Sequence, residues 1–588
     1  MKRHAAMKKA RTTGAAAGKA PRILLLGGDA ARTLEGTPDE VGFKACNLMR
    51  MAKIGLRVPP AFVLGTGYCR QYYLRKGRLP EGFSEQLRLA VRDLETITGA
   101  GFGNLRKPLL LSVRSGAAVS MPGMLDTILD VGLNDATVRG LIRATGNPRV
   151  AWDSYRRLVQ SFGEIVCGLP GDPFEQALAE ELRRVRADAV HELDFECLRG
   201  LAATYLGLFR EQAGMPFPQH PPEQLERAVT AVFRSWSGDK AAEYRRLNRI
   251  DDALGTAVTV QAMVFGNSGG TSGAGVGFTR DPSTGERRLY MDFLFNAQGE
   301  DVVSGRHSAG EDGGLAGQMP EVQSEIEQVR HRLEQEFRDV QEFEFTVQDG
   351  KLWLLQTRSG KRTPLAQLRT AVEMVGEGLI EPAEALERLA GLDLGRIVET
   401  RLASDKAKSL LAHGVPAGLG VATGEIALDV RRAQQRAAQG RPVILVRPDT
   451  TTADIAGIAV ADGILTAIGG RTSHAAVIAR QLGKPCIVGC AALGIDESTR
   501  RCVIGETTLK EGEVITLDGN TGAVHQGKAK VIEERPDKLL AAVKRWRRRM
   551  HQGKRRKRES AAKPKAKSAA KSKAKPGEKA RKKSRPAA

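Results

Sequence analysis

The segment GILTAIGGRTSHAAVIARQLGKPCIVG, Gly463 to Gly489, constrains the fold of this chain most. The apolar run Ile464 to Ile468 reads as a strand, Gly469-Gly470 as a turn, and a helix is predicted to begin near Thr472 or Ser473, both good N-caps. Ala475, Ile478 and Leu482 fall at i, i+3 and i+7 on one helical face, and Gly483 is placed to end the helix at C′. His474 thus sits in the first turn. There, free backbone N–H groups and the positive helix end stabilise a phosphoryl group on the ring. The same field disfavours imidazolium and so keeps the lone pair that attacks phosphorus. Gly469-Gly470 allows close approach, Ser473 can donate to phosphate, and Ala475-Ala476 leaves room. Taken without its neighbours, His474 reads first as a histidine with only structural hydrogen bonds near a cap; with them the two readings stand level.

At roughly 100 to 200 residues per domain, 588 residues predict about three to five units. The fold class expected is multidomain α/β and α+β. Residues 21–364 mix short strands (ILLL, PLLLSV, AVTVQAMVF, LYMDFLF, FEFTV, LWLLQT) with longer helices. Residues 365–413 have helical spacing and read as a linker of packed helices. Residues 414–533 return to Gly-punctuated strands with intervening helices, a compact α/β unit. The hydrophobic fraction of 41% is ordinary for a soluble domain, and no apolar run approaches the roughly 20 residues of a membrane helix.

The net charge of +22 is unevenly placed. Residues 1–20 hold six Lys/Arg and no acid, and residues 541–588 hold 21 against two Glu, which leaves residues 21–540 at about −3. Both termini, 1–20 and 534–588, are expected to be basic and disordered, since a self-repelling segment with few large apolar residues cannot offset its ordering entropy by burial. Such a tail either attracts nucleic acid or another polyanion or only aids solubility. Seven cysteines without C-x-x-C spacing argue against a zinc site or a disulfide framework. With no apolar signal region at the amino terminus, cytoplasm is the expected compartment.

GGRTSHAAVIAR resembles the phosphohistidine signature of the pyruvate phosphate dikinase family, with Arg471 where a hydrophobic residue is common. VGFKACNLMRMAKIGLRVPPAFVL, PLLLSVRSGAAVSMPGMLDTILDVGLND, GVGFTRDPSTGE, FNAQGEDVVSG, LWLLQTRSGKRT and EGEVITLDGNTGAV resemble further segments of that family in the expected order, over roughly residues 38–533. The resemblance implies an ATP-grasp-like nucleotide-binding domain, a helical linker and a swivelling phosphohistidine domain. It implies that ATP is split to AMP, inorganic phosphate releases pyrophosphate, and His474 is left phosphorylated.

ATP needs cations for its phosphates, Mg²⁺ held by oxygen ligands, and a flexible loop of backbone donors. Glu342 and Glu344 are two apart on a predicted strand, so both project from one face, where they can hold Mg²⁺ or the ribose. Gln356 and Arg358 repeat that spacing. The resemblance places Lys44 and Arg114 on phosphates, Gln356 and Arg358 against the nucleotide, Glu344 and Gln356 on the metal, and Gly269, Gly270 and Gly273 in a covering loop. It also makes Thr472 a regulatory phosphosite, with helix capping as the plainer role. Phe43, Ala45 and Cys46 depart from the family's Gly, Gly and Ala around Lys44, which threatens positive-φ conformations in a phosphate loop. Glu342 stands for Asp and Asp292 for Glu. The family's pyruvate-binding (β/α)₈ barrel requires about 250 residues. Only 55 residues follow Glu533, so a separate phosphoenolpyruvate- or pyruvate-binding subunit is expected. Transfer to a different acceptor, and a nucleotide sensor that has lost turnover, are the alternatives.

Overall fold

The computed structural model describes residues 22–27, 35–119, 121, 126–187, 190–303, 314–403, 409–450, 454–471 and 473–561. The chain forms two compact units, a larger one from residues up to 366 together with 400–532, and a smaller one from 367–399 and 533 onward. The expectations for residues 1–20, Thr472 and 562–588 lie outside the described residues.

In the larger unit the first sheet runs β1 (Ile23–Leu26), β2 (Ala61–Leu64), β5 (Thr256–Ala262), β3 (Leu111–Ala117), β4 (Thr127–Val131), with antiparallel neighbours throughout. The second runs β7 (Tyr290–Phe295), β6 (Gly273–Phe278), β8 (Gln341–Gln348), β9 (Lys351–Ser359), again antiparallel. Helix Pro38–Lys53 contributes Leu48, Met49 and Met51 to a core shared with Val63 of the first sheet and Phe293, Phe343 and Phe345 of the second. The first sheet also packs on a helical cluster that includes Tyr155, Phe162, Tyr205 and Phe233.

Alternation in the second sheet sorts its two faces. Phe293, Phe343 and Phe345 turn to the core, and a Cβ at Gly273, Gly275 or Gly277 would meet those rings at 2.2 to 2.5 Å. The opposite face carries Tyr290, Asp292, Val276, Glu342 and Glu344.

Residues 410–526 build an eight-stranded sheet around a parallel core, Val421–Ala427, Val443–Arg447, Gly463–Thr466 and Cys486–Val488. Parallel neighbours need crossovers, and helices Val430–Ala438, Ile455–Val460 and His474–Leu482 supply them. Apolar clusters cover both faces.

Two sequence expectations change. Among the described residues, the helical linker expected over 365–413 is helical in Pro364–Gly376 and Pro382–Arg388, and strands Glu399–Leu402 and Leu410–His413 follow. The tail expected to be disordered over 534–588 begins instead with strand residues to Glu534 and a helix, Asp537–Ala561. Its Leu540, Val543 and Trp546 recur at i, i+3 and i+6 and are buried in the smaller unit, where the helix contacts Pro382–Arg388. That short apolar stripe is enough to order a segment whose composition is dominated by Lys and Arg.

Candidate active site

Lys44 is set by a kink. Helix Pro38–Lys53 has one residue outside helical geometry, Gly42, at φ 79°. A Cβ there would lie 2.1 Å from the carbonyl oxygen of Gly116 on β3. Glycine is therefore required at that position on two counts. Phe43 and Ala45 are ordinary helical residues, and Ala45 is buried. The glycines absent from this loop thus cost it no positive-φ conformation, contrary to the sequence expectation.

Beyond the kink, half-buried Lys44 enters a cluster of charges. Burial first, then Arg114 and Arg358, hold its ammonium down to about 8, with Glu344 opposing. Arg114 of β3 lies 3.7 Å from Glu344 Oε2 of β8 and donates to Gln356 Oε1 at 3.5 Å and Gln261 Oε1 at 3.4 Å. It also donates to the Leu355 carbonyl at 3.3 Å. That carbonyl is available because Leu355 is the extra residue of a bulge, Glu344 pairing with Gln356 while Phe345 pairs with Leu354. Asn47 Nδ2 donates to the Thr357 carbonyl at 2.8 Å and ties the helix to β9.

The two-residue spacings become cross-strand pairs: Glu342 faces Arg358, and Glu344 faces Gln356, whose Nε2 donates to Glu344 Oε1 at 3.4 Å. Arg358 donates to Glu342 Oε1. Burial works against the Arg358 charge, but Glu342 and then Glu344 outweigh it and raise its pKa. Lys44, Arg114, Glu342, Glu344, Gln356 and Arg358 are thus brought together from two sheets and a helix.

Among the described residues no group of three His, Cys, Asp or Glu side chains is arranged to hold a metal. Mg²⁺ is commonly held through one or two carboxylates while substrate phosphates and water complete its octahedron. Glu344 with Gln356 offers hard oxygen donors on one strand pair.

The glycine loop divides. Gly269 and Gly270 sit in the connection before β6, where an added Cβ would meet nothing within 4 Å. Gly273 lies within β6 on the core face against Phe293, so it serves packing rather than the covering loop.

The segment around His474 comes to the same face of the second sheet. Ser473 is the N-cap of helix His474–Leu482, and Gly483 ends it at φ 66°. The buried face differs from the expected one: Ala475, Ala476, Ala479 and Arg480 are buried, while Leu482 is 46% exposed. Small side chains let the helix approach the parallel sheet closely. A Cβ at Gly470 would lie 3.7 Å from Asp292 Oδ2, and the Arg471 guanidinium sits 5.0 Å from the centre of the Tyr290 ring. Arg480, 1% exposed, stands 5.6 Å from the Phe278 ring and donates to the Ala417 carbonyl at 3.4 Å, with no partner for Nε or Nη2. The buried Ser473 Oγ has no partner either.

Register fixes the relation between the two groups. Val276 pairs with Asp292 on one side and Glu344 on the other, and Phe278 likewise joins Tyr290 to Glu342. The Gly469–Arg471 turn therefore meets the sheet two strands from the charge cluster, about 10 Å away. Arg480, Tyr290, Asn47 and Gln261 were not singled out for this site from sequence, and Arg471 was noted only as a departure from the signature. Arg471 and Arg480 lie inside the quoted signature, and the alternation in YMDFLF is the signal for Tyr290 and Asp292.

Among the described residues no helix is long and apolar enough to cross a membrane. Residues 73–311 match the family described as pyruvate phosphate dikinase, AMP/ATP-binding domain, and residues 439–522 match that of PEP-utilising enzyme, mobile domain. Pyruvate, phosphate dikinase of Rhizobium meliloti is 44% identical over 86% of this chain and 58% of its own length. The chloroplastic pyruvate, phosphate dikinase 1 of Arabidopsis thaliana is 43% identical over 86% of this chain and 53% of its own. The Clostridium symbiosum enzyme is 43% identical over 83% and 56%. The chain spans a little over half the length of these curated relatives. Two domain matches in order and this identity across most of the chain lead to one conclusion: the chain carries the AMP/ATP-binding and mobile domains found in pyruvate phosphate dikinases.

Proposed function

We propose that this protein uses ATP and inorganic phosphate to phosphorylate its own His474, the ATP half of a dikinase reaction. The observation that carries this reading is the shared face of the second sheet: the cluster around Glu344 and the turn leading into the carrier helix occupy it two strands apart. Such a carrier needs its nucleophile delivered to the nucleotide's phosphates, and this separation is one that an extended triphosphate can bridge.

In this reading Lys44, Arg114 and Arg358 neutralise phosphate oxygens, and Gly269 and Gly270 close over them. Glu344 and Gln356 hold Mg²⁺, which supplies further charge neutralisation when bound. A ring nitrogen of His474 attacks the β-phosphorus with its lone pair. The bond from that phosphorus to the oxygen bridging the α-phosphate breaks, and AMP leaves with that oxygen. Phosphate then takes the terminal phosphoryl group away as pyrophosphate and leaves one phosphoryl group on the ring. The unpartnered Ser473 hydroxyl is placed at the helix start to donate to it.

The finer part of the proposal concerns the onward acceptor, a phosphoenolpyruvate- or pyruvate-binding site acting in trans. ATP labelled at the β- or γ-phosphate tests the first part. Both labels are expected on His474 without phosphate, and only the β label with it, the γ label appearing in pyrophosphate. Acid-labile γ label that persists with phosphate, or label on another residue, overturns the reading. Discharge of the labelled protein by pyruvate plus a relative's barrel domain tests the second part.

A further inference from the structure

Helix Asp537–Ala561 carries a strongly charged surface that phosphotransfer does not use. Between Asp537 and Glu559 the sequence holds eleven Lys or Arg and no acid. Lys544, Arg545, Arg547, Arg548 and Arg549 are all exposed. Three exposed arginines on other helices are paired three residues back, Arg88 with Glu85, Arg184 with Glu181 and Arg246 with Glu243. Like charges on neighbouring turns repel, a cost that the acid-free run between Asp537 and Glu559 does not relieve. A polyanion relieves it, and the helical geometry narrows the choice.

Leu540, Val543 and Trp546 are buried in the smaller unit, so the helix presents no comparable apolar stripe for insertion among lipids. This disfavours a membrane surface. Arg547, Arg548 and Arg549 follow one another at about 100° steps, so their positions spread around the axis just beyond the buried stripe. A helix of about 10–12 Å diameter fits the roughly 12 Å major groove of B-form DNA, with phosphates on both walls. The deep, narrow major groove of A-form RNA does not admit it.

We propose that helix Asp537–Ala561 binds duplex DNA, its part beyond Trp546 lying in the major groove and holding backbone phosphates without reading sequence. The test is fluorescence anisotropy of a short labelled duplex DNA with the full chain, over a salt series. Binding is expected, with log affinity falling linearly in log salt. The variant R545Q/R547Q/R548Q/R549Q should bind at least about tenfold more weakly and lose about 3 to 4 from the slope, at about 0.9 per phosphate contact. Glutamine keeps helix propensity, and circular dichroism with unchanged ATP labelling verifies the variant's fold. An unchanged slope overturns the proposal by placing binding in residues 562–588. Equal affinity for duplex RNA overturns the groove assignment, and equal affinity for phosphatidylserine vesicles overturns nucleic acid as the partner.

Discussion

Around Glu344 the charged groups are matched: Arg114 faces Glu344 and Gln356, and Arg358 faces Glu342. On the carrier helix the polar groups are left open, Ser473 Oγ without a partner and Arg480 with one long hydrogen bond for its three nitrogens. Under the proposed function, the difference separates two tasks. A site that must receive a tetra-anionic nucleotide reversibly is held in shape by its own counter-charges, so a ligand exchanges partners rather than meeting bare cations. A helix start that must accept a phosphoryl group on its own residue keeps donor capacity in reserve.

The comparison breaks most completely at the carrier. His474→Ala should abolish acid-labile labelling and leave ATP binding within about twofold, because nucleophile and nucleotide are held by different segments. Residual labelling in the mutant, mapped by mass spectrometry, would remove His474 from the role. Arg358→Ala should lower Mg-ATP affinity and labelling by about 100-fold, since it removes a phosphate donor and also strips Glu342 of its counter-charge. Wild-type binding by calorimetry would relocate the nucleotide site.

A smaller effect sharpens the contrast. Ser473→Ala should slow labelling about tenfold with ATP affinity unchanged, the loss of one hydrogen bond to a charged group. An equal loss in affinity would make Ser473 part of the nucleotide site instead. Lys44 gives a pH signature: with its ammonium held down to about 8 in the free protein, ATP affinity should fall as pH rises through 8, the charged form being the low-pH form. Lys44→Met should flatten that profile, and persistence of the step would assign it elsewhere. The smallest change is expected from Arg480→Met, whose thermal stability should stay within about 1 kcal/mol, because a poorly partnered buried cation contributes little net stability. A large destabilisation would reveal a partner for this guanidinium in solution.

The carrier segment was legible because its information is local. A strand, two glycines, an N-cap serine and a closing glycine fix Ser473, His474 and Gly483 within a single stretch of chain, and hydrogen bonding between near neighbours enforces that order. The spacing of Glu342 with Glu344 and of Gln356 with Arg358 was equally readable, since a strand's period of two holds wherever the strand lies. Which residues meet across hundreds of positions was decided by tertiary packing alone. Gly42 must pass beside Gly116 for Lys44 to reach Arg114, and the Leu355 bulge must turn a carbonyl toward Arg114. Asp292 acquires meaning only when β6 sets it level with Glu344. Packing also overruled two patterns: Leu482, periodic but exposed, lost its place in the buried face to Arg480, and Leu540, Val543 and Trp546 ordered a segment that composition alone marks as unfolded. Periodicity states which residues of an element share a side; only the partner element decides which side is worth burying.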